Sequence, residues 1–200
     1  TVSGPANDYT STNGNVTVTG SSQAGAIVTV RTANGGNLGS ITVPAGGAFS
    51  VPLNLPPGVY TINVIATNAG GNSPASTTQT ITIKPQPPVV TIPTDNYTSA
   101  NGLIIITGTA YAGAGINSTA FLVATNGAMA LGPFTANAAG SWSGGVNFTP
   151  GRWKLQFYAQ VNGALSDLTI VYINILAPAP AITSPAANAN LPNGNNVIAG

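Results

Sequence analysis

Charge is almost missing from this sequence. Of its 200 residues, four are Lys or Arg, three are Asp or Glu, and charged residues make up 4% of the chain, against about 25% in an ordinary soluble domain. His and Cys are both absent. General acid–base catalysis needs a group that titrates near neutral pH or a pair of carboxylates, and disulfides and thiolate metal sites need cysteine. The inventory therefore predicts a protein that is not an enzyme, has no cofactor and binds no metal; a hydrolase is the class it argues against most directly.

Long apolar runs are also absent. The longest run of large aliphatic residues, Leu103–Ile106, is the size of a strand and far shorter than the roughly 20 residues needed to span a bilayer. We therefore expect no membrane insertion of this segment. A net charge of +1 offers no electrostatic footprint for nucleic acid. No signal peptide opens the chain, so we expect Thr1 to lie inside a longer mature protein.

What the sequence does contain is an internal repeat. The segment Pro5–Gly14 returns as Pro93–Gly102 and again as Pro185–Gly194. Further landmarks recur in the same order in the first two copies: Asn34-Gly35 with Asn126-Gly127, Gly47–Ser50 with Gly140–Ser143, and Leu55–Ile62 with Phe148–Leu155. We place the extra residues of the second copy around Gly113–Asn117. The repeat predicts module 1 over residues 1–86, module 2 over 87–178, and the first strand of an incomplete third module within 179–200.

Short runs rich in Val, Ile and Thr, often alternating with polar residues, predict strands with one buried face. In module 1 they are Asn15–Gly20, Ala26–Thr32, Leu38–Val43, Ala48–Leu53, Val59–Thr67 and Thr77–Lys84. In module 2 they are Leu103–Thr109, Thr119–Thr125, Met129–Thr135, Ser141–Phe148, Arg152–Val161 and Leu168–Leu176. No segment shows a helical stripe. The chain is therefore predicted to be all-β, with each copy forming a sandwich.

Proline-rich linkers join the copies, at Lys84–Pro88 and Ala177–Pro180. Proline favours extended geometry, so short linkers of this kind are stiff. Similar modules on stiff linkers predict a rod.

Several of these motifs together resemble a known family. The pattern Gly-x-Phe/Trp-Ser, then Pro-Gly-x-Tyr/Trp-x-Ile/Leu, and the segment Ala66–Ser73 are similar to bacterial immunoglobulin-like repeats of large adhesins and biofilm-associated proteins. The resemblance implies tandem immunoglobulin-like sandwiches of about seven strands. It implies that Phe49 and Trp142 are core residues, and that Tyr60 and Trp153 occupy the position of the tyrosine corner. It also implies export to the cell surface and a stalk or adhesive role.

The sequence departs from this family at its calcium-binding acids. Relatives often carry Asp at the position of Asn68 and at module joins, but Asn68 is neutral and module 2 has no acid from Gln160 to Ser166. Calcium prefers six to eight oxygen ligands, several of them carboxylates. We therefore expect stability to be independent of calcium. Asp8 and Asp95 have two interpretations, as turn residues that bond local backbone or as a weak ion site at a junction.

The aromatic residues also have two interpretations. Tyr9 and Tyr97 recur in the loop that leads each module. Either this loop packs onto its own module or the linker, or the two rings form a surface contact site for a ligand. Trp142 and Trp153 form either a carbohydrate-binding face or, like Phe49 and Tyr60 in module 1, part of the core. We favour burial of all four.

These observations lead to two hypotheses for function. In the first, the chain is a structural or adhesive segment of a long extracellular repeat protein, and neighbouring copies of itself are its partners, side by side or end to end, with cell-surface glycans or another cell as further partners. In the alternative, the modules are a carbohydrate- or receptor-binding pair attached to an enzyme or a phage structural protein. The strand Asn195–Gly200 either belongs to a longer array or completes a sheet in a neighbouring chain.

Overall fold

The computed structural model describes residues 1–181, and these residues form strands, turns and loops. Within that range there is no helix that is long and apolar enough to cross a membrane. The strands of module 1 are β1 Val2–Gly4, β2 Tyr9–Ser11, β3 Asn15–Ser21, β4 Ile27–Thr32, β5 Asn37–Thr42, β6 Ala48–Asn54, β7 Gly58–Asn68, β8 Gly71–Asn72 and β9 Gln79–Ile83. Those of module 2 are β10 Val89–Ile92, β11 Tyr97–Ser99, β12 Leu103–Thr109, β13 Gly115–Leu122, β14 Gly127–Ala130, β15 Phe134–Thr135, β16 Ser141–Asn147, β17 Gly151–Val161, β18 Ala164–Leu165 and β19 Thr169–Ile175.

Each module is a sandwich of two sheets. In module 1 a three-stranded sheet with the order β1-β3-β6 faces a sheet with the order β2-β9-β7-β4-β5, to which β8 adds at β7. In module 2 the corresponding orders are β10-β12-β16 and β11-β19-β17-β13-β14, with β15 beside β13 and β18 beside β17. The prediction of an all-β fold made of tandem immunoglobulin-like sandwiches is confirmed.

Alternation builds a separate core in each module. On β6, Phe49, Val51 and Leu53 are buried while the residues between them are exposed. Such side chains point into the space between two sheets, where burial removes apolar surface from water. The module 1 core cluster shares no residue with the module 2 cluster, which centres on large side chains such as Trp142, Leu155 and Phe157.

The first strand of each module is split between the two sheets, a feature that the hydrophobic pattern did not predict. β1 runs antiparallel to β3, whereas β2 runs parallel to β9. Module 2 repeats this arrangement, with β10 antiparallel to β12 and β11 parallel to β19. Each piece has only three or four residues, which is too short for an alternating pattern to stand out.

Two predicted strands of module 2 were wrong in their bounds. The strand predicted at Thr119–Thr125 is β13, Gly115–Leu122, and the one predicted at Met129–Thr135 is divided into β14 and β15. β13 begins Gly-Ile-Asn-Ser, and Ile116 and Ala120 are its only buried residues, so its first half has little apolar signal. Pro133 lies between β14 and β15 and cannot donate a ladder hydrogen bond.

The extra residues of module 2 are also not around Gly113–Asn117. Ile27, the first residue of β4, lies opposite Thr67, and Gly115, the first residue of β13, lies opposite Gln160. The two strands therefore begin at equivalent places, and no residues are added before β13. The added length lies instead between β13 and β15, where module 1 has one short hairpin into β5. The strand predicted at Asn195–Gly200 lies outside the described residues.

Candidate functional site

The four aromatic residues assigned to the core lie at equivalent places in the two modules. Phe49 and Trp142 are 5% and 3% exposed, and Trp153 is 6% exposed. Tyr60 differs from expectation, because it is only half-buried at the border of the core. Its hydroxyl donates a hydrogen bond to the carbonyl oxygen of Pro56, at 2.9 Å, and this polar group holds the end of the ring near the surface.

Trp153 makes the same bond as Tyr60. Its indole Nε1 donates to the carbonyl oxygen of Thr149, also four residues earlier and also at 2.9 Å. The rings of module 2 pack on one another inside the sandwich, with 5.5 Å between the centroids of Phe134 and Trp142 and 5.3 Å between those of Phe148 and Trp153. Neither tryptophan is therefore available as a platform for a sugar.

Tyr9 and Tyr97 lie in strands rather than in a leading loop. Each is the first residue of a short parallel strand, where Tyr9 pairs with Ile81 and Tyr97 pairs with Ile173. They are 39% and 42% exposed. Because they occupy equivalent positions in different modules, the fold does not bring them together into one site. A surface contact role for Tyr9 and Tyr97 stays a prediction.

Asp8 and Asp95, which come just before these strands, accept hydrogen bonds from nearby N–H groups. Asp95 Oδ1 accepts a hydrogen bond from the backbone N–H of Tyr172 on β19, at 2.8 Å, and Asp8 Oδ2 accepts one from the side chain of Asn7, at 2.9 Å. Asn68, the neutral residue at the family's calcium position, accepts from Gly70 N and donates to Gln23. Among residues 1–181, no three His, Cys, Asp or Glu side chains lie close enough to hold a metal ion.

The junction between the modules brings residues from distant parts of the chain together. The backbone N–H of Val59, on β7, donates to the carbonyl oxygen of Asn162, at 3.1 Å. Asn162 lies in the turn between β17 and β18 in a left-handed conformation, with φ of 44°. A Cβ on Gly163, the next residue, would lie 3.6 Å from Val59 Cγ2, so this turn packs directly against module 1.

Two polar contacts fix the junction at other points. Lys84 Nζ and Asp167 Oδ1 form an ion pair at 2.7 Å. The hydroxyl of Thr169, at the start of β19, donates to the carbonyl oxygen of Pro88 in the linker. The ion pair links the end of module 1 to module 2. The hydrogen bond holds the linker against the start of β19.

A shallow groove of about 350 Å³ runs along one side of the junction, and its walls include Thr12, Pro56, Gln86 and Tyr111. Tyr111 belongs to module 2, whereas the other three precede it in module 1 and the linker. Burial, together with the nearby phenol of Tyr111, raises the pKa of Tyr60 above its ordinary value of 10.0. The lining of the groove mixes polar side chains such as Thr12 and Gln86 with apolar ones such as Leu55 and Ile83.

Sequence reasoning did not find these junction residues. The Asn162-Gly163 dipeptide is a recognised turn signal, and it could have indicated the hairpin between β17 and β18. Its partner Val59 could not have been found, because the bond joins two backbone groups and leaves no mark on residue type.

Comparison with protein families gives one match. The profile described as bacterial Ig domain matches residues 3–84, a range that contains all the strands of module 1. Module 1 is a bacterial Ig domain. The match confirms the resemblance that the Pro-Gly-x-Tyr and Gly-x-Phe-Ser motifs indicated. Module 2 shares the strand order of this bacterial Ig domain. A comparison with curated proteins finds no match.

A comparison with solved structures finds similar chains at low identity. A segment of two fibronectin type III domains from chicken tenascin is 12% identical, with 87% of this chain and 96% of that chain covered and a TM-score of 0.54. Fibronectin(III)-like modules of Clostridium thermocellum CbhA are 15% identical, with 88% and 93% covered and a TM-score of 0.34. The BSP domain of a biofilm-associated protein is 26% identical, with a TM-score of 0.31; the match covers 90% of this chain and only 30% of that one.

Proposed function

We propose that this chain is a structural segment of a long extracellular repeat protein, in which it acts as a stalk or filament body that spaces other parts of the protein at a fixed distance. Its membership of the bacterial Ig family over residues 3–84 and the second sandwich of the same order support this role. The adhesin-like motifs of the sequence support a location at the cell surface.

The observation that carries the proposal is the junction. A flexible tether would keep two modules near each other without holding their orientation. Here the backbone bond from Val59 to Asn162 and the ion pair Lys84–Asp167 join module 1 to module 2, and the bond from Thr169 to Pro88 fixes the linker on module 2. Contacts at three points oppose rotation about the linker, and the prolines of the linker limit its bending. Such a junction supports a spacer of constant length.

The alternative function, a carbohydrate- or receptor-binding pair, needs exposed aromatic rings gathered on one sheet face. Trp142 and Trp153 are buried, and Tyr9 and Tyr97 lie in separate modules. No observation on the described residues favours that alternative over the spacer.

The distance between the modules tests the proposal. Because the sequence has no Cys, single cysteines at Thr10 and Thr98, equivalent exposed positions on β2 and β11, can carry spin labels for a pulsed dipolar measurement. We expect one narrow distance distribution. Inserting four residues, Gly-Ser-Gly-Ser, after Gln86 should broaden it while leaving both modules folded. A broad distribution in the parent protein would contradict a spacer role.

The cellular role has its own test. In the intact surface protein, an antibody against module 1 should bind whole, unpermeabilised cells. Replacing both modules by two unrelated, rigidly joined domains of the same length should preserve the display of the parts beyond them, whereas deletion should shorten it. If only these two modules, and no substitute of equal length, support the function, they act through a specific ligand.

A further inference from the structure

The free edge of β16 is a strand-pairing surface. The backbone N–H and C=O groups of its even-numbered residues point toward β12. Two bonds that flank the pair show this, because Phe148 N bonds Gly102 O and Ala110 N bonds Gly140 O, and both fit the antiparallel register of β12 and β16. The backbone groups of the odd-numbered residues therefore point away from the sheet. The backbone N–H and C=O of Ser141 are hydrogen-bonded to Asn137. The outward backbone groups of Ser143, Gly145 and Asn147 remain available for pairing. Among the described residues, no strand pairs with this side of β16.

The equivalent edge in module 1 is protected. β6 is related to β16 residue by residue, because Pro52 faces Thr17 and Gly145 faces Ile105 in the two matching registers. Pro52 has no N–H, and proline on an edge strand is a known way to prevent further pairing. Module 2 has Gly145 at that place, so β16 keeps its donor. The other edge of its sheet, β10, has four residues between Pro88 and Pro93 and offers little to pair with.

The solvent face beside β16 is apolar. Leu103 and Ile105 on β12 are 48% and 53% exposed, and their Cδ1 atoms lie 3.6 and 3.3 Å from the position that a Cβ on Gly145 would take. They therefore lean over the glycine and toward the free edge. The corresponding residues of module 1 are Asn15 and Thr17. Module 2 therefore has both an open strand edge and exposed apolar side chains beside it, whereas module 1 has a proline on the edge and polar side chains beside it.

We propose that β16 pairs antiparallel with β16 of a second copy of this chain, about a two-fold axis at Gly145. In this register Ser143 faces Asn147 of the second copy, and Gly145 faces its own counterpart. All three outward residues then meet as hydrogen-bonded pairs, each of which exchanges two bonds, about six in total.

Three features select a second copy as the occupant. The outward residues are self-complementary about Gly145, where the absence of a side chain removes any clash on the axis. No charged residue lies in β10, β12 or β16, and the net charge is +1, so two copies do not repel each other. The paired sheet also brings Leu103 and Ile105 of both copies over the two glycines, which removes apolar surface from water.

Sedimentation of residues 1–200 over a range of concentrations tests this pairing. We expect a reversible dimer. In Ser143→Lys/Asn147→Lys, lysines face each other at two places, and the dissociation constant should rise more than about tenfold. In Ser143→Lys/Asn147→Asp, opposite charges face each other in this register, and dimerisation should stay within about threefold of the parent.

Module 1 supplies a matched control, because Ser50 and Asn54 are the same residue types at the same places on β6. Ser50→Lys/Asn54→Lys adds the same charge and should leave the dimer intact. A parent that is monomeric at all concentrations, a control that dissociates equally, or a Lys/Asp variant as weak as the Lys/Lys variant would each overturn the proposal. A dimer lost only when residues 182–200 are removed would assign the edge to that segment instead.

This inference goes beyond the proposed spacer function, and the two proposals fail separately. The spin-label distance is measured within one chain and can be recorded on the Lys/Lys variant as a monomer. A narrow distance distribution without dimerisation would support the spacer function and contradict the strand pairing. A dimer with a broad distance distribution would support the pairing and contradict the spacer function.

Discussion

Trp142 covers Gly108, the residue that it faces across the β12–β16 pair. A Cβ on Gly108 would lie 2.5 Å from Trp142 Cζ2 and 2.1 Å from the carbonyl oxygen of Val89. Module 1 repeats the relationship with Phe49 and Gly20, where the same atom would lie 2.6 Å from Phe49 Cζ. Gly20 and Gly108, at equivalent places in the two modules, are thus the positions where a core aromatic ring meets backbone.

Replacing Gly108 by Ala should therefore destabilise module 2. The added methyl group meets backbone on one side and a packed ring on the other, and overpacking of this kind costs about 1–3 kcal/mol, occasionally more. Gly46→Ala is the control, because a Cβ there has no neighbour within 4 Å; its free energy of unfolding should stay within about 0.5 kcal/mol of the parent. Urea unfolding curves measure both, and equal effects would contradict this packing.

The two tryptophans of module 2 should respond differently to the same substitution. Both are buried, but Trp153 Nε1 bonds Thr149 O, whereas Trp142 Nε1 has no hydrogen-bond partner among residues 1–181. A buried unpaired donor costs about 1–3 kcal/mol, so Trp142→Phe trades lost volume for relief of that cost. We expect Trp153→Phe to lower the free energy of unfolding by at least about 1 kcal/mol more than Trp142→Phe. The reverse order in urea unfolding would count against the assigned bond.

Alkaline pH should weaken module 1 through Tyr60. Its pKa is raised in the folded state by burial and by Tyr111, so above pH 10 the unfolded chain loses this proton first. Stability from the neutral phenol is complete below about pH 10 and falls as pH rises through the higher folded pKa. The stability advantage of the parent over Tyr60→Phe should shrink across this range in pH-dependent unfolding. An advantage that stays constant to pH 11.5 would show that the phenol titrates alike in both states.

Calcium should not stabilise either module. The three carboxylates of the chain, Asp8, Asp95 and Asp167, lie on separate loops, and Asp95 and Asp167 already accept a hydrogen bond from Tyr172 N and an ion pair from Lys84. Thermal unfolding midpoints with calcium and with a chelator should agree within error. A rise of several degrees with calcium would mean that backbone and amide oxygens form a site by themselves.

Sequence patterns predicted the long strands well and the connections poorly. β6 alternates buried apolar residues with exposed residues, and β12 begins with the apolar run Leu103–Ile106. The bounds of both strands were predicted within one residue. β13 begins with Gly115 and polar residues, and its position depends on pairing with β17, which periodicity does not report. The same limit applies to β1 and β2, which are held in opposite sheets by neighbours distant in sequence.

The candidate surfaces were harder to predict than the fold. Tyr9 and Tyr97 could be selected because the repeat marks them. Which edge is open depends on the direction in which backbone groups point and on Pro52 being equivalent to Gly145. That equivalence could be recognised only from the strand registers, because the extra residues between β13 and β15 change the sequence offset between equivalent residues of the two modules.

The parallel pairing of β2 with β9, and of β11 with β19, determines how each module responds to pulling. The chain enters module 1 through β1 and then β2 and leaves it through β9, so tension on the two ends draws β2 and β9 in opposite directions along their common axis. Their hydrogen bonds are then loaded together in shear, and the Tyr9–Ser11 strand cannot peel away one bond at a time. A protein anchored at one end and held at the other would therefore load these short parallel pairs in shear in each of its modules.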